Sequence, residues 1–151
     1  MTLVLAFTKG AGKYDRLDIR RADGGEERID CPKQGIIPHD MVHYAVENVL
    51  TARGFLGRVA AGEDAAFTMQ AEAESDGVER LVEVVQGDAW SGGGSTPGAM
   101  IDLYRVTCEA RLCPALPLDA ATIEAIRAEM RTLGEAWSAT PIGGTLTLRF
   151  G

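Results

Sequence analysis

The fold of this 151-residue chain is decided by the stretch Tyr14-Asp15-Arg16-Leu17-Asp18-Ile19-Arg20-Arg21-Ala22-Asp23-Gly24-Gly25-Glu26-Glu27-Arg28-Ile29-Asp30-Cys31. Apolar and charged residues alternate on both sides of Asp23-Gly24-Gly25, a pattern typical of a β-hairpin. A two-residue loop at Gly24-Gly25 would pair Ile19 with Asp30 and bring a charge onto the buried face. A three-residue loop with a bulge is therefore predicted, with strands over residues 14–21 and about 27–31.

Both ends of the chain carry strands of the same kind. Residues 2–8 and 145–150 alternate in polarity, and the closing strand is expected beside the first one. Helical periodicity appears over about 38–53, 77–86 and 99–112. A last helix is capped by Asp119 and runs to about Trp137. The prediction is a single α+β domain over residues 1–151. Its antiparallel four-stranded sheet consists of three N-terminal strands and the C-terminal strand, with about four helices packed on one face.

Two segments give no clear pattern. Residues 54–75 are consistent with a loop or with a further short element. The glycine-rich stretch around Gly92–Gly94 is either a connector or a lid over a functional site.

Composition excludes some classes of function. The formal net charge of −7 argues against nucleic acid as a partner, because such proteins must neutralise phosphates. No apolar run is long enough to span a membrane, so no membrane association is expected. Cys31, Cys108 and Cys113 show no Cys-x-x-Cys spacing, which favours reduced, packed thiols in a cytoplasmic protein. On a continuous helix Cys108 and Cys113 would point in different directions.

The strongest functional signal lies in the first predicted helix. His39 and His43 are the two histidines of the chain, and Glu47 follows four residues after the second. This spacing lines the three side chains up on one stripe, where they are candidate ligands for a divalent metal such as zinc. The ends of the stripe lie about 12 Å apart along the helix axis, so one ion needs two neighbouring members and a donor from elsewhere. The candidates for that donor are Glu63, Asp64, Glu72 and Glu74.

The same stripe could carry acid–base chemistry. Glu47 is a candidate ligand or general base, Asp40 is a second candidate catalytic residue, and Tyr44 lies nearby. His39-Asp40-x-x-His43 differs from the metalloprotease pattern His-Glu-x-x-His, so that mechanism does not transfer. Asp40 also suits the first turn of the helix as an anion that complements the dipole.

The string Gln34 to Tyr44, with Pro38-His39-Asp40-Met41-Val42-His43 at its centre, resembles small bacterial proteins with a Pro-His-Asp-apolar-x-His signature. The resemblance covers a short part of the chain and implies no activity. It implies only that these side chains are important for the protein.

Two hypotheses of function follow. The first is a small acidic protein with a divalent-metal or acid–base site on the first helix, with its enzymatic status left open and a small molecule as its partner. The alternative is a non-enzymatic interaction module, homo-oligomeric, in which the histidines have a structural role. The geometry around the two imidazole rings distinguishes them.

Overall fold

One layer of the fold is a four-stranded antiparallel sheet. The computed structural model describes residues 2–50, 52, 54–63 and 72–151. The strands are β1 (Leu3–Thr8), β2 (Tyr14–Arg21), β3 (Glu26–Pro32) and β4 (Thr145–Phe150), in the order β3-β2-β1-β4. The predicted sheet is therefore confirmed, including the position of the C-terminal strand beside β1.

The β2–β3 hairpin has the predicted loop length. Leu17 lies opposite Ile29, and the Arg21 N–H donates to the Gly25 carbonyl at 2.8 Å, which leaves three residues in the loop. Gly24 adopts φ +93°, the left-handed conformation that a bulged three-residue loop requires. If the register shifted by one residue, Leu17 and Ile29 could not both face the core.

Five helices lie in the described part of the chain. They are α1 (His39–Val49), α2 (Phe55–Ala60), α3 (Ala73–Trp90), α4 (Pro97–Ala110) and α5 (Ala120–Ala139). About four were expected, and the additional one is α2, in the segment that gave no clear pattern. The first helix ends earlier than predicted, and Arg53, its expected end, lies outside the described residues. In the described ranges no helix is both long and apolar enough to cross a membrane.

Helix α1 is the centre of the fold. It packs against α3 and α5, and every residue from Met41 to Glu47 is buried. The inward side chains of the sheet are also fully or almost fully buried: Leu3, Leu5, Phe7, Leu17 and Ile19. Because α1 is enclosed on several sides, its polar side chains must find partners inside the protein.

Candidate metal centre

The two histidines of α1 face the same carboxylate on α3. The Nε2 atom of His39 lies 3.2 Å from Glu79 Oε1, and that of His43 lies 2.8 Å from Glu79 Oε2. The rings are arranged edge to face, with centroids 5.0 Å apart. One turn of α1 and one side chain of α3 therefore bring three potential ligands together.

The other nitrogen of each ring has its own partner. Nδ1 of His39 lies 2.9 Å from Gln86 Oε1, and Nδ1 of His43 lies 3.1 Å from Glu47 Oε2. Gln86 also contacts Gln34 at 3.4 Å, which ties it to the loop before α1. Because both partners of Nδ1 are acceptors, they fix the orientation and the tautomer of each ring.

The cluster is buried on one side and open on the other. The side chain of His43 is 3% exposed, whereas those of His39 and Glu79 are 37% and 33% exposed. Phe55 covers the His43 ring from the inner side, with centroids 5.7 Å apart. Among the described residues, His39, His43 and Glu79 form a group whose ligand atoms all lie within 4.8 Å of one another. Solvent can therefore reach the group through His39 and Glu79.

Electrostatics in the cluster favours positive charge on the rings. The hydrogen bond to Glu79 raises the pKa of His39, although burial acts in the opposite direction. Burial alone would lower the pKa of His43, but its hydrogen bonds to Glu47 and Glu79 outweigh burial and raise the pKa to about 10. Burial would raise the pKa of Glu79, but the two histidines hold it well below its usual range.

Glu47, which its position on the stripe predicts to be a ligand or general base, faces backbone N–H groups as well as His43. Its Oε1 atom accepts from the N–H groups of Gly54 at 3.0 Å and Gly57 at 2.9 Å. Its Oε2 atom accepts from the Leu56 N–H at 3.0 Å and contacts His43 Nδ1 at 3.1 Å. The carboxylate thus binds the first turn of α2 and lies behind the His43 ring, on the opposite side from Glu79.

The remaining predicted residues lie around the cluster. Asp40 accepts from the Cys31 thiol of β3 at 3.8 Å, which places it on the sheet side of α1, where burial raises its pKa. Burial and the charge of Glu129 on α5 raise the pKa of Tyr44, so this side chain lies on the α5 side. Asp40 and Tyr44 therefore do not join the group at Glu79.

Three of the four expected outside donors, Glu63, Glu72 and Glu74, lie away from the two imidazole rings. Glu63 forms an ion pair with Arg58 at 2.8 Å, and Glu72 lies 4.0 Å from the same guanidinium. Asp64 lies outside the described residues, and Glu74 lies in the first turn of α3. Glu79 is the carboxylate that lies beside the two imidazole rings.

Glu79 and Gln86 were missed from the sequence, although a signal exists. They are seven residues apart on α3 and therefore share a face, at the edge of the apolar stripe formed by Val78, Leu81, Val82 and Val85. On α3, Gln86 lies beside His39, and Glu79 lies beside both histidines. Recognising this arrangement from the sequence requires knowing that α3 packs against α1.

Comparison of the chain with protein-family models, with curated proteins and with solved structures finds no match.

Proposed function

We propose that the chain binds a divalent transition-metal ion through Nε2 of His39, Nε2 of His43 and the Glu79 carboxylate. One observation carries the proposal: both Nε2 atoms point at one carboxylate, while both Nδ1 atoms have separate acceptors. This is the arrangement in which protein imidazoles bind metals, with the distant ring nitrogen held by a carboxylate or another acceptor.

The contacts require positive charge, either on the rings or between the rings and Glu79. Each Nδ1 atom faces an acceptor and therefore carries a proton. In a neutral ring, Nε2 would then present a lone pair to a carboxylate oxygen only 2.8 or 3.2 Å away, which is repulsive. Either a proton on each ring or one shared metal ion removes this repulsion. A divalent ion supplies the charge of two protons at a single point.

The donor set indicates the class of metal. Two imidazoles and one carboxylate suit zinc and neighbouring first-row ions, whereas calcium and magnesium prefer oxygen ligands alone. Tetrahedral zinc with bonds of about 2.0–2.1 Å would separate its ligand atoms by about 3.3 Å. The two contacts of Glu79, at 3.2 and 2.8 Å, would lengthen slightly to admit the ion, and the ligand atoms of the group lie within 4.8 Å of one another. With three protein ligands, the ion would keep one position for water or a substrate, which is typical of catalytic rather than structural zinc.

Glu47 supports this site without belonging to its ligands. Three backbone N–H groups hold its carboxylate in place, and the carboxylate in turn orients the His43 ring. Gln86 does the same for His39. Such outer partners raise the basicity of the ligand and limit its motion, which favours metal binding.

Zinc binding by the full chain tests the proposal. Equilibrium dialysis followed by metal analysis is expected to give one zinc ion per chain, and Glu79→Gln and His39→Ala are each expected to weaken binding at least about tenfold. Glu83→Gln is the matched control, because Glu83 lies one turn further along α3 and pairs with Arg80. Substoichiometric zinc in the wild type, or equal affinity in Glu79→Gln, would refute the proposal.

The alternative function is an interaction module with structural histidines. One observation favours it: all four ring nitrogens already have a side-chain partner in the cluster. It predicts that zinc does not bind and that light scattering finds an oligomer. The dialysis experiment and light scattering therefore separate the two functions.

A further inference from the structure

The C-terminus of α4 has an unusual ending. The Cys113 N–H donates to the Cys108 carbonyl at 3.0 Å, and the Leu112 N–H donates to the Glu109 carbonyl at 3.2 Å. Leu112, between them, has φ +55°. These two hydrogen bonds and the left-handed residue define a Schellman motif.

This motif folds the chain back on the last turn of the helix. It brings the side chain of the third-last helical residue against that of the second residue beyond the cap, and here both are cysteines, Cys108 and Cys113. With the 3.0 Å hydrogen bond and standard bond lengths, their Cα atoms are at most about 7 Å apart. Disulfides join Cα atoms about 4.4–6.8 Å apart, so little movement is needed. The two cysteines do not share one continuous helix, because α4 ends at Ala110, so the divergence expected on such a helix does not apply.

Leu112 occupies the left-handed position of the motif. It is the one residue other than glycine with positive φ among those the structure describes. Its side chain is 93% exposed, so no buried contact of that side chain holds the strained backbone. Glycine or asparagine normally occupies this position, and strained backbone is often found at functional sites.

We propose that Cys108 and Cys113 form a thiol–disulfide exchange site whose co-substrate is a low-molecular-weight disulfide. The Cys113 thiolate attacks one sulfur of the external disulfide, breaks its S–S bond and releases one thiol, which takes up the proton that Cys113 lost. The Cys108 thiolate then attacks the Cys113 sulfur, forms the intrachain disulfide and releases the second thiol with the proton from Cys108. The protein loses two hydrogen atoms, and the external disulfide is reduced by two electrons.

The order of attack follows from exposure. Cys113 is half-buried, whereas Cys108 is 1% exposed. Burial raises the pKa of the Cys108 thiol, and the Arg80 guanidinium counteracts part of that rise. Cys113 is therefore the thiol that an external disulfide reaches, and Cys108 is the one that resolves the mixed disulfide.

The third cysteine is an internal control. Cys31 is buried under α1, where burial and the nearby Asp40 carboxylate raise its pKa to about 12. It has neither the exposure nor the thiolate fraction needed for exchange. It also lies far along the chain from the Schellman motif.

Oxidised glutathione is a suitable probe. The full chain is incubated with it, free thiols are alkylated after denaturation, and intact mass and peptide mapping locate every modification. The expected result is the loss of two hydrogen atoms, a Cys108–Cys113 link and one remaining alkylated cysteine, Cys31.

The variants isolate each step. Cys108→Ser is expected to stop with glutathione attached to Cys113, and Cys113→Ser to react at least about tenfold more slowly. Cys31→Ser is expected to behave as the wild type. Glutathione that stays on Cys113 in the wild type, a disulfide between chains, a link to Cys31 or no reaction would each overturn the proposal.

Discussion

His43 lies between two carboxylates that differ in almost every physical respect. On one side Glu47 is buried and binds three backbone N–H groups of the α2 region besides the ring. On the other side Glu79 is one-third exposed and contacts the two imidazole rings. The same residue type therefore stabilises the fold on one side of the ring and is available to a ligand on the other.

The difference shows how burial and backbone contacts divide structural from functional roles. A carboxylate that satisfies several buried N–H groups cannot move to a metal without leaving those groups unpaired. A carboxylate that is partly exposed and held by side chains can change partners without leaving buried backbone N–H groups unpaired. Glu79 meets that condition, and Glu47 does not.

The largest expected effect is on stability, from the two isosteric substitutions. Glu47→Gln replaces an acceptor with an amide whose NH₂ group faces buried donors, and is expected to lower the free energy of unfolding by about 3–5 kcal/mol. Glu79→Gln is expected to lower it by about 1 kcal/mol, because this side chain is partly solvated. Urea unfolding of the metal-free proteins gives both values. Similar losses in the two variants would show that the carboxylates are equivalent.

A smaller effect is expected where the backbone approaches Glu47. A Cβ atom on Gly54 would lie 2.7 Å from Glu47 Cδ and 2.5 Å from Val78 Cγ1. Gly54→Ala should therefore cost about 1–3 kcal/mol of stability through overpacking.

Gly87→Ala is the matched control for Gly54→Ala. A Cβ atom there meets nothing within 4 Å, and Gly87 lies inside α3. This substitution is expected to stabilise the protein by about 0.5–1 kcal/mol through helix propensity. Thermal unfolding measures the stability of both variants relative to the wild type. A Gly54→Ala variant as stable as the wild type would contradict the overpacking argument.

The smallest expected effect is a change with pH in the contribution of Glu79 to the free energy of unfolding of the metal-free protein. The folded-state pKa of His43 is raised to about 10, so its stabilisation is fully present below its unfolded pKa of 6.5 and is lost as the pH rises through about 10. The pKa of Glu79 is lowered, so its contribution is present above 4.5 and is lost in acid. The difference of about 1 kcal/mol between wild type and Glu79→Gln should therefore be largest near pH 5–6 and shrink toward pH 10. Urea unfolding of both proteins at a series of pH values, with a chelator present, measures this difference. A difference that grows with pH would contradict the assigned directions of the two pKa shifts.

The sheet and the histidine pair were accessible from the sequence because both depend on local periodicity. Alternation fixed the inward faces of β1 and β4, and the Gly24-Gly25 turn left one acceptable register for Leu17 against Ile29. The i, i+4 spacing placed His39 and His43 on one side of α1. These features need no knowledge of which helices meet.

The other half of the cluster depends on tertiary packing. Glu79 follows His43 by 36 residues, across a segment whose periodicity was unclear, so its approach to α1 could not be predicted. The contacts of Glu47 with the N–H groups of the α2 region could not be predicted either, because those groups belong to that same segment. The approach of Cys113 to Cys108 could not be predicted because leucine, not glycine, occupies the left-handed position that turns the chain back.

Calorimetric titration of zinc into the metal-free protein at pH 6, in two buffers with different ionisation enthalpies, tests the metal site most directly. At this pH both histidines carry an extra proton in the absence of metal, because the pKa values of both are raised above 6.5. The account predicts one zinc ion per chain and the release of about two protons as it binds. It is contradicted if zinc does not bind, or if it binds without proton release and with the same affinity in Glu79→Gln.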